Sequence, residues 1–284
     1  MVRRPGPRRF VPRRLLPGLW VVATGRAPQY RTRQVGRPEA RTQLVYDEGA
    51  ARAHMRTVQA GLGRFLSAEM TVWMLDRLAI NCVLDVGANV GQYARRLRNG
   101  GYQGRIVSFE PVPDFAARLR RRAGKDPAWH VHELALGEAE ATAEIHVTPG
   151  RTLSSLLPAS DFGKKWSSDL REPQSHTIQV RRLDGVLDEA VAGIEHPRIF
   201  LKLDTQGFDL PAFRGAGDRL PEILGLQSEV ACLPLYEGMP LLEEQLGEYR
   251  AAGFDLVGMY PVSRQRFRLG VIEYDALMVR PRGT

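Results

Sequence analysis

The chain predicts an α/β fold: a doubly wound, mostly parallel sheet of seven strands, preceded by a helical extension. Three observations carry this reading. From Ile80 onward, short β-branched apolar runs alternate with amphipathic helical stretches, the pattern that βαβ units produce. The first of these runs leads straight into a glycine-containing turn, residues 87–91, that opens a helix. The second run ends on an acid, Glu110, followed by a proline suited to the first turn of the next helix.

The seven runs are residues 82–86, 105–109, 129–136, 198–204, 223–230, 254–260 and 271–279. A helix over 90–99 closes on Gly100 and Gly101, and one over 112–123 closes on Gly124. A further helix is expected over 241–252. The last two runs are expected to pair antiparallel across the arginine-rich connection 263–268. Residues 142–147 and 177–181 look like extra strands, and the polar segment between them, 148–176, exceeds the usual loop length and reads as disordered or as a lid. Ahead of the sheet, residues 51–78 place apolar side chains at helical spacing, among them Met55, Val58, Leu62, Leu66, Met70 and Trp73. The expected organisation is a basic arm over 1–42, a helical extension over 43–79 and one ligand-binding domain over 80–284.

A net charge of +8 suggests nucleic acid until it is located along the chain. Residues 1–42 carry eleven arginines and one acid, a net +10, which leaves −2 on the remaining 242 residues. The domain is close to neutral and offers no phosphate-tracking face by composition. The arm mixes Arg, Pro and Gly, is expected to be disordered, and suits weak contact with an acidic surface. Its apolar stretch, residues 15–23, is broken by Pro17 and Gly18, too short for an export signal, and no run of 18 apolar residues exists to span a bilayer. Two cysteines without C-x-x-C spacing fit a reducing, cytoplasmic compartment.

The chemistry concentrates at Val83-Leu84-Asp85-Val86-Gly87-Ala88-Asn89-Val90-Gly91. The glycines do not match the G-x-G-x-x-G dinucleotide pattern, and Asp85 would repel a pyrophosphate at the helix N-terminus. A carboxylate there favours the ammonium and sulfonium of S-adenosylmethionine. In this reading Gly87 admits close backbone approach and Asn89 tolerates the unusual dihedrals of the turn. Glu110 lies 23 residues past Gly87, placed to accept the ribose hydroxyls of an adenosine, with Pro111 starting the following helix. The two elements together predict a class I methyltransferase type of sheet with S-adenosylmethionine as cofactor.

Taken in order, further segments resemble the FkbM-type methyltransferases: Ser108-Phe109-Glu110-Pro111, Ala135-Leu136-Gly137, Arg182-Leu183-Asp184, Leu201-Lys202-Leu203-Asp204-Thr205-Gln206-Gly207 and Pro234-Leu235-Tyr236-Glu237-Gly238-Met239-Pro240. The resemblance covers about residues 83–279. It implies O-methylation of a sugar or secondary-metabolite hydroxyl, with Asp85, Gly87, Asn89, Gly91, Glu110, Pro111, Glu133 and Ala135 on the cofactor. Many members of that family carry Asn where Glu133 stands and Val-Glu where Thr205-Gln206 stand.

On the acceptor side, Asp204 ends an apolar strand at the carboxyl edge, where doubly wound sheets bind ligands, and is the first candidate for a catalytic base. Glu229, ending the next strand, is the second. A helix cap or an orienting partner for Lys202 is the structural alternative for Asp204, and a rim ion pair for Glu229. Tyr236 and Glu237 are a candidate acceptor wall, the histidines read as structural, and spacing assembles no metal site. The expected activity is methyl transfer to a small-molecule hydroxyl acceptor. A nicotinamide oxidoreductase is disfavoured by Asp85. Nucleic-acid methylation is disfavoured by the neutral domain, and the alternative is a degenerate module that binds cofactor for a structural or partner-binding role.

Overall fold

A computed structural model describes residues 20–21, 30–35, 42–47, 55–150, 152–265 and 270–281. The chain forms two compact units, residues 1–61 and 62–284. In the first, strands β1 (Trp20–Val21), β2 (Tyr30–Val35) and β3 (Thr42–Asp47) make a small sheet in which β3 is central, parallel to β1 and antiparallel to β2. Strands therefore stand in part of the segment expected to be a disordered arm. Tyr30, Thr32 and Val35 supply the β-branched and aromatic residues such strands favour. Residues 1–19 and 22–29, with most of the arm's arginines, lie outside the described residues.

The second unit is built on a seven-stranded sheet. Helix α1 (Met55–Arg77) leads into β4 (Cys82–Val86), α2 (Gln92–Asn99), β5 (Arg105–Phe109), α3 (Pro113–Ala123) and β6 (Trp129–His132). After a side excursion come α5 (Leu183–Val191), β10 (Ile199–Leu203), α6 (Asp209–Arg214), β11 (Ile223–Ala231), α7 (Leu242–Ala251), β12 (Asp255–Arg264) and β13 (Val271–Val279). The spatial order is β12-β13-β11-β10-β4-β5-β6. All neighbours are parallel except β13, which runs antiparallel between β11 and β12. The strand order reverses between β4 and β10, which creates a crevice at their carboxyl ends.

Alternation along the strands fixes the two layers. Cys82, Leu84 and Val86 of β4 pack with Leu201, Leu187, Phe213 and Tyr249 on the face covered by α5, α6 and α7. Val83 points the other way, into a cluster with Phe200, Leu97, Leu119 and Met74 from α2, α3 and α1. With both faces covered, the central strands are continuously apolar, as β4 is at every position but Asp85. The single 23-residue α1 buries Ser67, Thr71, Met74 and Leu75, while Leu62, Leu66 and Trp73 of the apolar spacing stay exposed.

The side excursion is a second, three-stranded sheet, β7 (Ala135–Leu136), β9 (Gln174–Arg181) and β8 (Ala141–Val147), with β9 central. The expected single strand over 129–136 is thus two strands in different sheets, because Glu133 and Leu134 interrupt the pairing. The long segment 148–176 is folded as a wall. It holds helix α4 (Asp161–Trp166), a 3-10 turn over Ser168–Leu170, and bridges from Ser155 to His146 and from Ala159 to Tyr236. Among the described residues, no helix is long and apolar enough to cross a membrane.

Candidate active site

A cavity of about 490 Å3 opens at the carboxyl ends of β4, β5, β10 and β11, within the usual size range of a small-molecule site. One end is lined by Gly87, Asn89, Glu110, Pro111, Phe115 and Ala135. The other is lined by Asp204, Gln206, Glu229, Ser263 and Glu273, under a wall formed by Leu153, Leu156 and Trp166 of the long segment.

At the first end, Glu110 is 5% exposed. Its two oxygens accept the backbone N–H groups of Asn89 at 2.7 Å and Val112 at 2.9 Å. These bonds tie the turn after β4 to the start of α3. Burial pushes the Glu110 carboxyl up to about 7, against the pull of the two amides. Asn89 adopts φ +50°, and its side chain accepts the Val90 N–H, the local bond that lets asparagine hold a left-handed turn.

The glycines serve packing. A Cβ on Gly87 would meet the Asp204 carbonyl at 2.0 Å, so the turn is pressed against the end of β10. One on Gly91 would strike Leu119 and Trp129 at under 3 Å. Glycine is needed at both positions so that strand and helix can close together; Gly87 also lines the cavity, whereas Gly91 does not.

Asp85 and Glu133 stand apart from the cavity. Asp85 is fully buried, and its Oδ1 lies 3.0 Å from the Lys202 ammonium. The Ser108 hydroxyl, itself held by the Trp129 indole, donates to the other oxygen. Lys202 also donates to the carbonyls of Val86 and Gly87, lies 3.5 Å from Asp204, and packs over the Tyr93 ring. Burial alone would lower the Lys202 pKa, but Asp85 and Asp204 outweigh it and hold the ammonium charged. The expected partner of a ligand ammonium is therefore already paired inside the protein. Glu133 forms a solvent-exposed ion pair with Arg120 at 2.7 Å, away from the cavity lining.

The second end brings together carboxylates from three strands. The Gln206 amide donates to Glu229 at 2.7 Å and to Asp204 at 3.1 Å, while its carbonyl oxygen lies 3.1 Å from the Tyr236 hydroxyl. Gln206 holds φ +54° to do this, a conformation that costs free energy and is stabilised here by the three contacts. Its neutral amide separates two acids that would otherwise repel. Burial, and then the charges of Glu273 and Asp204, raise Glu229 well above the usual carboxylate range. Glu273, from β13, is 4% exposed and accepts the Ser263 hydroxyl at 2.6 Å.

Phe208 caps α6, so Asp204 is not its cap. Asp209 in the first turn of that helix instead gathers Thr205, Ser228 and the Glu229 N–H. Tyr236 is buried against Gln206 outside the cavity lining, and Glu237 points to solvent. No group of three or more metal-ligating side chains occurs among the described residues. Ser263 and Glu273 are the site groups that the sequence did not single out.

A sheet in this order, with a cavity at the switch point and acids ending its first two strands, defines the class I methyltransferase architecture. A model of the methyltransferase FkbM domain matches residues 85–247, more than half of the chain. The chain belongs to the FkbM methyltransferase family, and S-adenosylmethionine is its cofactor. The cavity fits such a group: it has the volume, a buried acid, Glu110, at one end, and an apolar wall from Phe115 and Ala135.

The chain is 26% identical over 194 residues to the 2-O-methyltransferase NoeI of Sinorhizobium fredii, covering 63% of this chain and 74% of that relative. It is also 26% identical over 147 residues to Methyltransferase 1 of Beauveria bassiana, covering 48% of this chain and 58% of the relative. A putative methyltransferase from Thermobifida fusca overlays with a TM-score of 0.44 at 11% identity, across 78% of this chain and 82% of that one.

Proposed function

We propose that this protein is an O-methyltransferase that transfers the methyl group of S-adenosylmethionine to a hydroxyl of a sugar or other small metabolite. One observation carries the reading: a single cavity joins the Glu110 end to the Asp204–Glu229 end. A donor and an acceptor bound in it would lie side by side, the arrangement an in-line displacement requires. The cofactor supplies the activated methyl. Glu110, Asn89, Pro111 and Ala135 hold its nucleoside, while Gly87 and Gly91 act through the packing of the turn. Asp204, the more open of the acids and oriented by Gln206 and Lys202, holds the acceptor through a polar group beside the reacting hydroxyl. Glu229 completes the polar wall. The description of NoeI as a 2-O-methyltransferase supports a hydroxyl acceptor. The buried, unpaired Cys82 supports a reducing, cytoplasmic setting.

The test is incubation with methyl-labelled S-adenosylmethionine and a panel of hydroxylated sugars and secondary metabolites, with NAD binding as a control. Label is expected on a hydroxyl oxygen of at least one acceptor, and NAD is expected not to bind. Tight cofactor binding without transfer to any hydroxyl would favour a binding module instead.

A further inference from the structure

Three carboxylates face the acceptor end, and their partners differ. Asp204 faces a cation and an amide donor, Lys202 and Gln206. Glu229 is held by the same amide. Glu273 has neither: among the described residues its hydrogen-bond partner is a neutral hydroxyl, Ser263 on β12. It enters the cavity from the antiparallel strand β13, opposite Ala231 at the end of β11. We infer that Glu273 is the general base of the transfer, receiving the proton of the reacting hydroxyl while Asp204 holds the acceptor through a neighbouring polar group.

The step balances without another reactant. The acceptor oxygen forms a bond to the methyl carbon as the carbon–sulfur bond breaks, its electron pair goes to sulfur, and the hydroxyl proton moves to a Glu273 oxygen. The protonated carboxyl then returns the proton to solvent. This inference rests on the methyltransferase reading above and adds the destination of the proton.

The surroundings of Glu273 suit it to the task. The charges that bear on it most are acids, Asp204 and Asp209 beyond β10 and Asp275 on its own strand, and its own charge acts in turn on Glu229 of β11. Arg64 of α1 lines the same cavity, and Tyr236 supplies a further hydroxyl nearby. Burial pushes the Glu273 carboxyl up to about 7, with the Ser263 hydrogen bond pulling the other way. A base is most effective when its pKa lies near the working pH. Glu229 differs in accepting the Gln206 amide that also binds Asp204.

The experiment measures kcat/KM against pH for wild type, Glu273→Gln and Asp204→Asn with an acceptor identified as above, together with the calorimetric affinity for S-adenosylhomocysteine. Wild type is expected to show a limb near pH 7, with the rate rising as the carboxyl deprotonates. Glu273→Gln should lose that limb and about 10²–10⁴-fold in rate while retaining cofactor-product affinity. Asp204→Asn should be slow and keep the limb, moved to lower pH by the loss of a neighbouring negative charge. Ser263→Ala, a milder change, should move the limb to higher pH, which keeps the inference testable if Glu273→Gln fails to fold. A Glu273→Gln enzyme with a wild-type rate and limb, or a limb unmoved in Ser263→Ala, overturns the role of Glu273. Failure of wild type to bind S-adenosylhomocysteine would instead overturn the cofactor reading beneath it.

Discussion

Replacing Asp85 with alanine is expected to lower the unfolding free energy by about 3–5 kcal/mol, the cost of leaving one member of a buried ion pair without its partner. Asp85 is fully buried and the Lys202 side chain is 5% exposed, so water cannot take over the lost charge. Lys202 would keep Asp204 and two carbonyls, which places the loss toward the lower end of that range. Urea denaturation checks it. The double variant Asp85→Leu with Lys202→Met should recover much of the loss, since well-packed apolar pairs often equal buried ion pairs. An unchanged midpoint in Asp85→Ala would mean that the pair does not hold the strand ends together. The acid that the sequence reading gave to the ligand thus acts first on the fold, clamping β4 to β10 beneath the cavity.

The second large effect is expected at Asp204. Asp204→Asn keeps the shape and the Gln206 neighbour but removes the charge that faces the acceptor. Turnover should fall by about 10²-fold or more, while affinity for S-adenosylmethionine changes little, because the groups assigned to the nucleoside lie at the other end of the cavity. Steady-state kinetics with parallel calorimetry separate the two. Equal losses in turnover and affinity would place Asp204 on the cofactor, and normal turnover would leave it a structural partner of Lys202.

Much of the fold was legible because it follows from local pattern. Six of the seven runs, the glycine stops at 100–101 and 124, and the antiparallel last pair all appear where periodicity and turn chemistry put them. The break between β6 and β7 was not legible, since a continuous run over 129–136 carries no mark of a change of sheet. The wall over 148–176 was also hidden, because its anchors are bridges to distant residues such as Tyr236.

At the site, the acids ending β4, β5, β10 and β11 were readable as strand ends facing one edge. Their partners were not, because pairing across strands depends on register. The lone lysine in Ile199–Leu203 did carry a signal: a cation in an otherwise apolar buried strand needs a buried acid, and register sets Lys202 beside Asp85. Glu273 carried a similar one, as an acid flanked by apolar residues in a strand, but only the antiparallel placement of β13 brings it to the cavity. Glu133 misled for the opposite reason: resemblance put it on the cofactor, while a single turn of α3 offers it Arg120.

The central claim is that the Glu110 end of the cavity holds the nucleoside of S-adenosylmethionine. Calorimetric titration of S-adenosylhomocysteine into wild type and Glu110→Ala tests it most directly, with folding of the variant verified by thermal denaturation. The account predicts micromolar-range binding that weakens by about 1–3 kcal/mol in the variant, the scale of lost hydrogen bonds to a charged group. Equal affinity in a folded Glu110→Ala protein would contradict it.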